Sequence, residues 1–116
     1  MSSMITSFRA AMDGILLVLK ERNFRIHLLL LALVISAGIY FKIAGHEWLV
    51  LFFISALVLS LEMINSAIER TCDLYSKEKN EAIRRIKDIA AGAVLLAALF
   101  SVVIGILIFG KHIFPQ

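Results

Sequence analysis

Proline and cysteine are almost absent from this chain of 116 residues. The single proline, Pro115, is the penultimate residue, so no proline interrupts a helix in the rest of the sequence. The single cysteine, Cys72, excludes a disulfide framework within the chain, and we expect it to pack as a small side chain. A glycine-rich phosphate loop of the Walker type and the protein-kinase signature set are also missing, which excludes those two designs of nucleotide site.

Charged residues are scarce as well, and apolar residues take their place. Only 18% of the residues are charged, 60% are hydrophobic, and the mean hydropathy is +0.90. A typical soluble protein is roughly 45–50% apolar, and a water-soluble domain of this size could not bury the excess. The composition therefore predicts an all-α integral membrane protein that forms a single domain over residues 1–116.

Three apolar runs predict three transmembrane helices, at about residues 26–41, 48–69 and 89–109. Before them, apolar residues at helical spacing predict an amphipathic helix over about residues 4–20. Such a helix could lie in the membrane surface or pack along a bundle. We expect residues 45–47 to form the short turn between the first two spans.

The basic residues are unevenly distributed along the chain. Four precede the first apolar run and six lie between the second and third runs, whereas only Lys42 separates the first two runs and only Lys111 follows the third. By the positive-inside rule, the N-terminus and the second loop are cytoplasmic and the C-terminus is outside. The charges of the second loop alternate in sign, and residues 76–88 contain no aromatic residue for base stacking, so we do not expect the loop to bind nucleic acid.

A stripe of polar residues crosses the end of the second apolar run. It consists of Glu62, Asn65, Glu69 and Asp73, whose offsets of three, seven and eleven residues place them on one face of a helix. Carboxylates at membrane depth are costly and usually face a bundle interior or a site. The stripe is therefore the main candidate for the chemistry of the chain.

The acidic residues near this stripe suggest phosphoryl transfer to a lipid. Glu21, before the first span, and Glu69, at the end of the second, are predicted at the same depth. Two carboxylates with phosphate oxygens and water are the usual ligands of Mg²⁺. Glu62 lies roughly 10 Å deeper, where it is a candidate general base for a lipid hydroxyl. Asn65 would orient its neighbours, and Lys87 would neutralise phosphate charge.

The same residues permit other interpretations. A polar stripe can hold helices together or line a proton or cation pathway, as in a non-enzymatic oligomeric membrane protein. Lys87 and Asp88 are as compatible with the start of a helix as with a nucleotide contact. We expect His27 and His112 to be interfacial anchors rather than ligands.

Three segments resemble the prokaryotic diacylglycerol kinase family. Residues 62–69 read Glu-Met-Ile-Asn-Ser-Ala-Ile-Glu and are followed by Asp73, residues 87–94 read Lys-Asp-Ile-Ala-Ala-Gly-Ala-Val, and residues 21–25 read Glu-Arg-Asn-Phe-Arg. They occur in the family's order and with its spacing over nearly the whole chain. The resemblance implies a lipid kinase that uses ATP and Mg²⁺, with three spans and a surface helix. It also implies a homotrimeric helical bundle whose active sites are shared between subunits at the cytoplasmic boundary of the cell membrane.

The resemblance also implies roles for the matching residues. Glu62 corresponds to the catalytic base, Asn65 to a residue that organises the site, and Glu21 and Glu69 to the Mg²⁺ carboxylates beside the ATP phosphates. The remaining nucleotide-binding positions are Asp73, Glu78, Asn80, Lys87 and Asp88. The chain has Lys79-Asn80 where many relatives have Tyr-His.

Two further segments resemble the Gram-positive branch of the family. They are residues 21–27, Glu-Arg-Asn-Phe-Arg-Ile-His, and residues 40–42, Tyr-Phe-Lys, with Glu47-Trp48 close behind. That branch is associated with phosphorylation of undecaprenol to undecaprenyl phosphate. The residues themselves do not select undecaprenol over diacylglycerol, whose phosphorylation gives phosphatidic acid, because both present a primary hydroxyl on an apolar body.

Overall fold

The computed structural model of the chain describes residues 3–75 and 80–114, and it folds them into four α-helices. In chain order these are α1 (Ser3–Val18), α2 (Arg22–Phe41), α3 (Gly45–Tyr75) and α4 (Glu81–Ile113). The prediction of an all-helical chain with one short helix and three long apolar ones is confirmed.

The three long helices pack side by side, and consecutive helices are antiparallel. Each is long and apolar enough to cross a membrane, and α3 packs most extensively against α4. The 20 residues of α2 span about 30 Å, which is roughly the thickness of the hydrocarbon layer. The 31 residues of α3 and the 33 of α4 are longer, at about 46 and 50 Å. The chain is therefore a multi-pass membrane protein whose last two helices extend beyond the hydrocarbon.

The connection between α2 and α3 differs from the predicted one. Residues 45–47 are the first turn of α3 and not a separate turn, so that only residues 42–44 connect the helices. The reason is that Glu47 caps the helix, since its carboxylate accepts a hydrogen bond from the Ala44 N–H at 3.0 Å. Lys42 closes α2 in the left-handed conformation, with φ of 52°.

At this loop end, a buried carboxylate joins α3 to α4. Glu47 is only 4% exposed, and its carboxylate lies 2.6 Å from Lys111 Nζ in the last turn of α4. Close by, Trp48 lies against Gly38, where an added Cβ would come within 2.5 Å of the indole ring. Glycine at this position therefore lets α2 and α3 approach each other closely.

Helix α1 is almost entirely exposed. Val18 is its only buried residue, while apolar side chains such as Phe8 and Leu16 are 69% and 54% exposed. The described residues of this chain thus leave the apolar side of α1 uncovered.

Candidate functional site

A groove with polar and apolar walls lies between α2, α3 and α4. Its volume is about 310 Å³, and we call it the polar groove. Its lining comprises Asn23, Ile26 and His27 of α2, Glu62, Asn65 and Glu69 of α3, and Ala91, Val94, Leu95 and Ala98 of α4. Three of the four residues of the predicted stripe thus line a single groove.

The stripe on α3 places buried polar groups in this groove. Glu62 and Asn65 are 5% and 7% exposed, and Asn65 Nδ2 donates to Glu69 Oε1 at 3.3 Å. Asn65 Oδ1 is buried and accepts no hydrogen bond from the described residues. Because nearly all buried polar atoms have a partner, this amide oxygen is an acceptor suited to a ligand in the groove.

Glu21 lies beside the groove and contacts the same helix. Its Oε2 accepts hydrogen bonds from Ser66 Oγ at 2.5 Å and from Arg70 Nη2 at 3.0 Å. The Ser66 hydrogen bond, together with the hydrogen bond and charge of Arg70, outweighs burial and lowers the pKa of Glu21 below its ordinary value. Glu21 is therefore held as a carboxylate where α2 begins.

This contact fixes the depth of the site. Because α2 is about as long as the hydrocarbon is thick, its first residue marks one membrane boundary. The Glu21 contacts place Ser66 and Arg70 at that same boundary, in the turn that also carries Glu69. Glu62 precedes Ser66 by one helical turn and so lies about 6 Å deeper. The groove thus joins a boundary region with charged groups to an apolar region that contains one carboxylate.

The remaining predicted nucleotide residues lie further along α3 and α4. Lys87 Nζ is 2.7 Å from Asp73 Oδ1, which links the two helices, and Asp88 is exposed beside it. Asn80 caps α4, since its side chain accepts hydrogen bonds from the backbone N–H groups of Ala82 and Ile83. Glu78 lies outside the described residues. A nucleotide role for these positions remains a prediction.

The donor groups of the groove suit a hard cation. Within residues 3–75 and 80–114, no three His, Cys, Asp or Glu side chains form a metal-binding cluster. Mg²⁺ does not need one, because it usually takes one or two carboxylates with waters and phosphate oxygens. For both Glu21 and Glu69, the hydrogen bonds within the described chain fall on one carboxylate oxygen. The other oxygen of each can therefore serve a cation.

Three contacts at this site were missed by the sequence analysis. His27, expected to be an interfacial anchor, has its Nε2 3.7 Å from Glu62 Oε2 inside the groove. Ser66 and Arg70 were given no role, although both bind Glu21. Their spacing was a usable signal, because Ser66 follows Glu62 by four residues and Arg70 follows Ser66 by four.

Together, the three membrane-crossing helices and the carboxylate-lined groove define an integral membrane protein with a polar site at the membrane boundary. The chain belongs to the prokaryotic diacylglycerol kinase family, whose sequence profile matches residues 9–109. The resemblance noted in the sequence is thereby confirmed.

Two relatives are kinases with different names. The undecaprenol kinase of Bacillus subtilis (strain 168) is 38% identical over 89 residues, which cover 77% of this chain and 72% of the relative. The diacylglycerol kinase of Synechocystis sp. (strain ATCC 27184 / PCC 6803 / Kazusa) is 38% identical over 105 residues, which cover 89% of this chain but only 60% of the relative. The prediction of a lipid kinase is confirmed at the level of the family.

Replacing Ser66 by alanine should destabilise the protein in a pH-dependent way. Because the folded state lowers the pKa of Glu21, the stabilisation is present above the ordinary carboxyl range and is lost as pH falls through the lowered value. Ser66→Ala should therefore lower the free energy of unfolding by about 1–2 kcal/mol at neutral pH and by much less once Glu21 is protonated. Thermal unfolding of the purified wild-type and variant proteins, at neutral pH and at an acidic pH where Glu21 is protonated, measures this difference.

Ser36→Ala is the matched control, because Ser36 Oγ donates only to the Ala32 carbonyl of its own helix at 2.9 Å. Its effect should not change with pH. An equal destabilisation by Ser66→Ala at neutral and acidic pH would contradict the importance of the Glu21 contact.

Proposed function

We propose that this protein is an ATP- and Mg²⁺-dependent kinase of the bacterial cell membrane that phosphorylates the hydroxyl of undecaprenol to undecaprenyl phosphate. The observation that carries the proposal is Glu62, a carboxylate 5% exposed that lines a groove open towards the apolar part of the protein. Family membership makes the acceptor a lipid. The similarity to the Bacillus subtilis undecaprenol kinase favours the polyprenyl alcohol.

Glu62 is the general base of the proposed reaction. It takes the proton of the lipid hydroxyl as the hydroxyl oxygen bonds to the γ-phosphorus of ATP, and the bond from that phosphorus to the bridging oxygen of ADP breaks. A carboxylate in a poorly hydrated groove is a stronger base than one in water. Asn65 keeps Glu69 in place through its amide and presents its free carbonyl oxygen to the reactants.

Glu21 and Glu69 are the proposed Mg²⁺ ligands at the boundary. Mg²⁺ held by these two carboxylates would neutralise phosphate charge, so that Glu21 and Glu69 would keep the donor phosphates beside the groove. The pair of Asp73 and Lys87 lies beyond this point, and Lys87 is suited to pair with phosphate as a point cation. Glu78, Asn80 and Asp88 complete the proposed nucleotide region.

The proposed arrangement in the membrane follows from charge and exposure. The N-terminus and the connection between α3 and α4 are cytoplasmic, where ATP is available, and the C-terminus is outside. The exposed apolar residues of α1 support a helix that lies in the membrane surface. We further propose a homotrimer with shared active sites, an expectation that comes from the family resemblance.

Diacylglycerol is the second candidate acceptor. It is favoured by the similarity to a Synechocystis protein named diacylglycerol kinase. The proposed chemistry at Glu62 is the same for both alcohols, so the two candidates differ in the acceptor alone.

Phosphate transfer from labelled ATP in mixed micelles should favour undecaprenol over diacylglycerol and should require Mg²⁺. Both alcohols present a primary hydroxyl on an apolar body. The preference is expected from the match to the undecaprenol kinase, which covers 72% of that relative, against 60% for the diacylglycerol kinase. Preference for diacylglycerol would replace the proposed substrate and keep the chemistry. Absence of transfer to either alcohol, by a folded oligomer, would support a packing or ion-conducting role for the carboxylates.

Two glutamine substitutions on α3 should separate catalysis from packing. Glu62→Gln should lower kcat by about 10²–10⁴-fold because the base is lost, while oligomer size and thermal stability change little. Glu47→Gln removes another buried carboxylate of α3, which is paired with Lys111 of α4. It should lower the stability by about 1–2 kcal/mol and leave kcat of the folded protein intact. The reverse pattern would make Glu62 a packing residue.

Loss of the Glu69 carboxylate should weaken metal binding. Glu69→Gln keeps the size of the side chain, and we expect the Mg²⁺ concentration for half-maximal rate to rise about tenfold or more, since even residues that only support ligands change metal affinity by about 10–100-fold. Titration with Mn²⁺, followed by electron paramagnetic resonance, measures the metal affinity without turnover and should show the same weakening. Glu81→Gln is the control, because Glu81 pairs with Arg84 on the exposed start of α4. Unchanged metal affinity in Glu69→Gln would remove Glu69 from the metal site.

A further inference from the structure

A histidine faces the proposed base across the polar groove. His27 Nε2 lies 3.7 Å from Glu62 Oε2, with His27 on α2 and Glu62 on α3. The separation is longer than a hydrogen bond, but catalytic contacts often shorten only when substrate binds. The two side chains are therefore adjacent and within reach of direct proton exchange after a small movement.

The burial of the two side chains differs in a way that matters for turnover. The side chain of Glu62 is 6% exposed, whereas that of His27 is 21% exposed. A proton that Glu62 takes from the lipid hydroxyl must leave before the next cycle, and Glu62 itself has little contact with water. His27 offers the proton a neighbouring acceptor whose side chain is less enclosed by the protein.

Among the described residues, His27 is the only basic side chain that lines the polar groove. Its titratable neighbours there are Glu62 and Glu69 of α3, while α4 contributes only Ala91, Val94, Leu95 and Ala98. Glu21 and Arg70 lie beside the groove and are bound to each other. A neutral imidazole also has one ring nitrogen without a hydrogen, which can accept a proton and later release it.

We propose that His27 is the residue that removes the transferred proton from Glu62 and so regenerates the base. In the first step Glu62 carboxylate takes the proton of the lipid hydroxyl, and the lipid phosphate and ADP are formed. In the second step the carboxylic acid of Glu62 gives that proton to the neutral imidazole of His27, which restores the carboxylate and leaves an imidazolium. The imidazolium then releases the proton to water. The inference rests on the proposed function, because it assigns a proton to Glu62.

His27 acts through Glu62 and touches no reacting atom of the lipid or ATP in this scheme, so its loss should not affect the first turnover. With His27→Ala, rapid-quench experiments in mixed micelles should show a first turnover close to the wild-type rate. The steady-state rate should then fall by about 100-fold, the lower end of the effect expected for loss of a proton-transfer group. Added imidazole should restore the steady-state rate, and the restoration should grow with pH as the neutral form of imidazole increases.

The controls separate this role from packing and from the proposed function itself. His46→Ala removes an exposed histidine in the first turn of α3 and should change neither rate. His27→Gln keeps the size of the side chain and should behave like His27→Ala without imidazole rescue.

A first turnover slowed as much as the steady state, or no response to imidazole, would make His27 structural and overturn the inference. Wild-type rates in His27→Ala would do the same. Inactive wild-type protein would overturn the proposed function and the inference together. If the wild-type protein is active and Glu62→Gln is inactive, the proposed function stands, and a negative result with His27→Ala overturns only the inference.

Discussion

The cost of placing a carboxylate within the hydrocarbon governs the arrangement of this protein. Glu62 is tolerated only where it faces other protein groups, and the three long helices meet around it to supply them. Asn65 and His27 provide polar partners, while the short side chains of Ala91 and Ala98 leave space for a ligand. The burial that makes Glu62 costly for folding also places it in the apolar part of the groove, where the proposed lipid hydroxyl would bind.

The contact of Glu21 with Ser66 and Arg70 sets the level at which this buried group meets water. It connects the start of α2 to a point on α3 that lies one turn above Glu62. Since α2 has the length of the hydrocarbon, a shift of α2 by one turn would place a charged end inside the membrane. The Glu21 contact and the hydrophobic length of α2 therefore favour the same position of α2 along α3. Both also place the groove at the same depth in the membrane.

Local patterns in the sequence were enough for the helices and for the polar face of α3. Helical periodicity aligns Glu62, Asn65 and Glu69, and hydropathy gives the depth of Glu21, because both properties depend only on neighbouring residues. The contact of His27 with Glu62 depends on the rotation of α2 against α3, which periodicity does not determine. The ion pair of Glu47 with Lys111 could not be predicted for a similar reason, since Lys111 lies near the other end of the chain.

Ion pairs join α3 to α4 at both ends of that helix pair. Asp73 meets Lys87 near one end and Glu47 meets Lys111 near the other, so α4 cannot slide along α3 without breaking both. Helix α2 is joined to this frame differently, by the Glu21 contact and by the short loop at Lys42. The wall of the polar groove that carries His27 is therefore held to α3 at both of its ends.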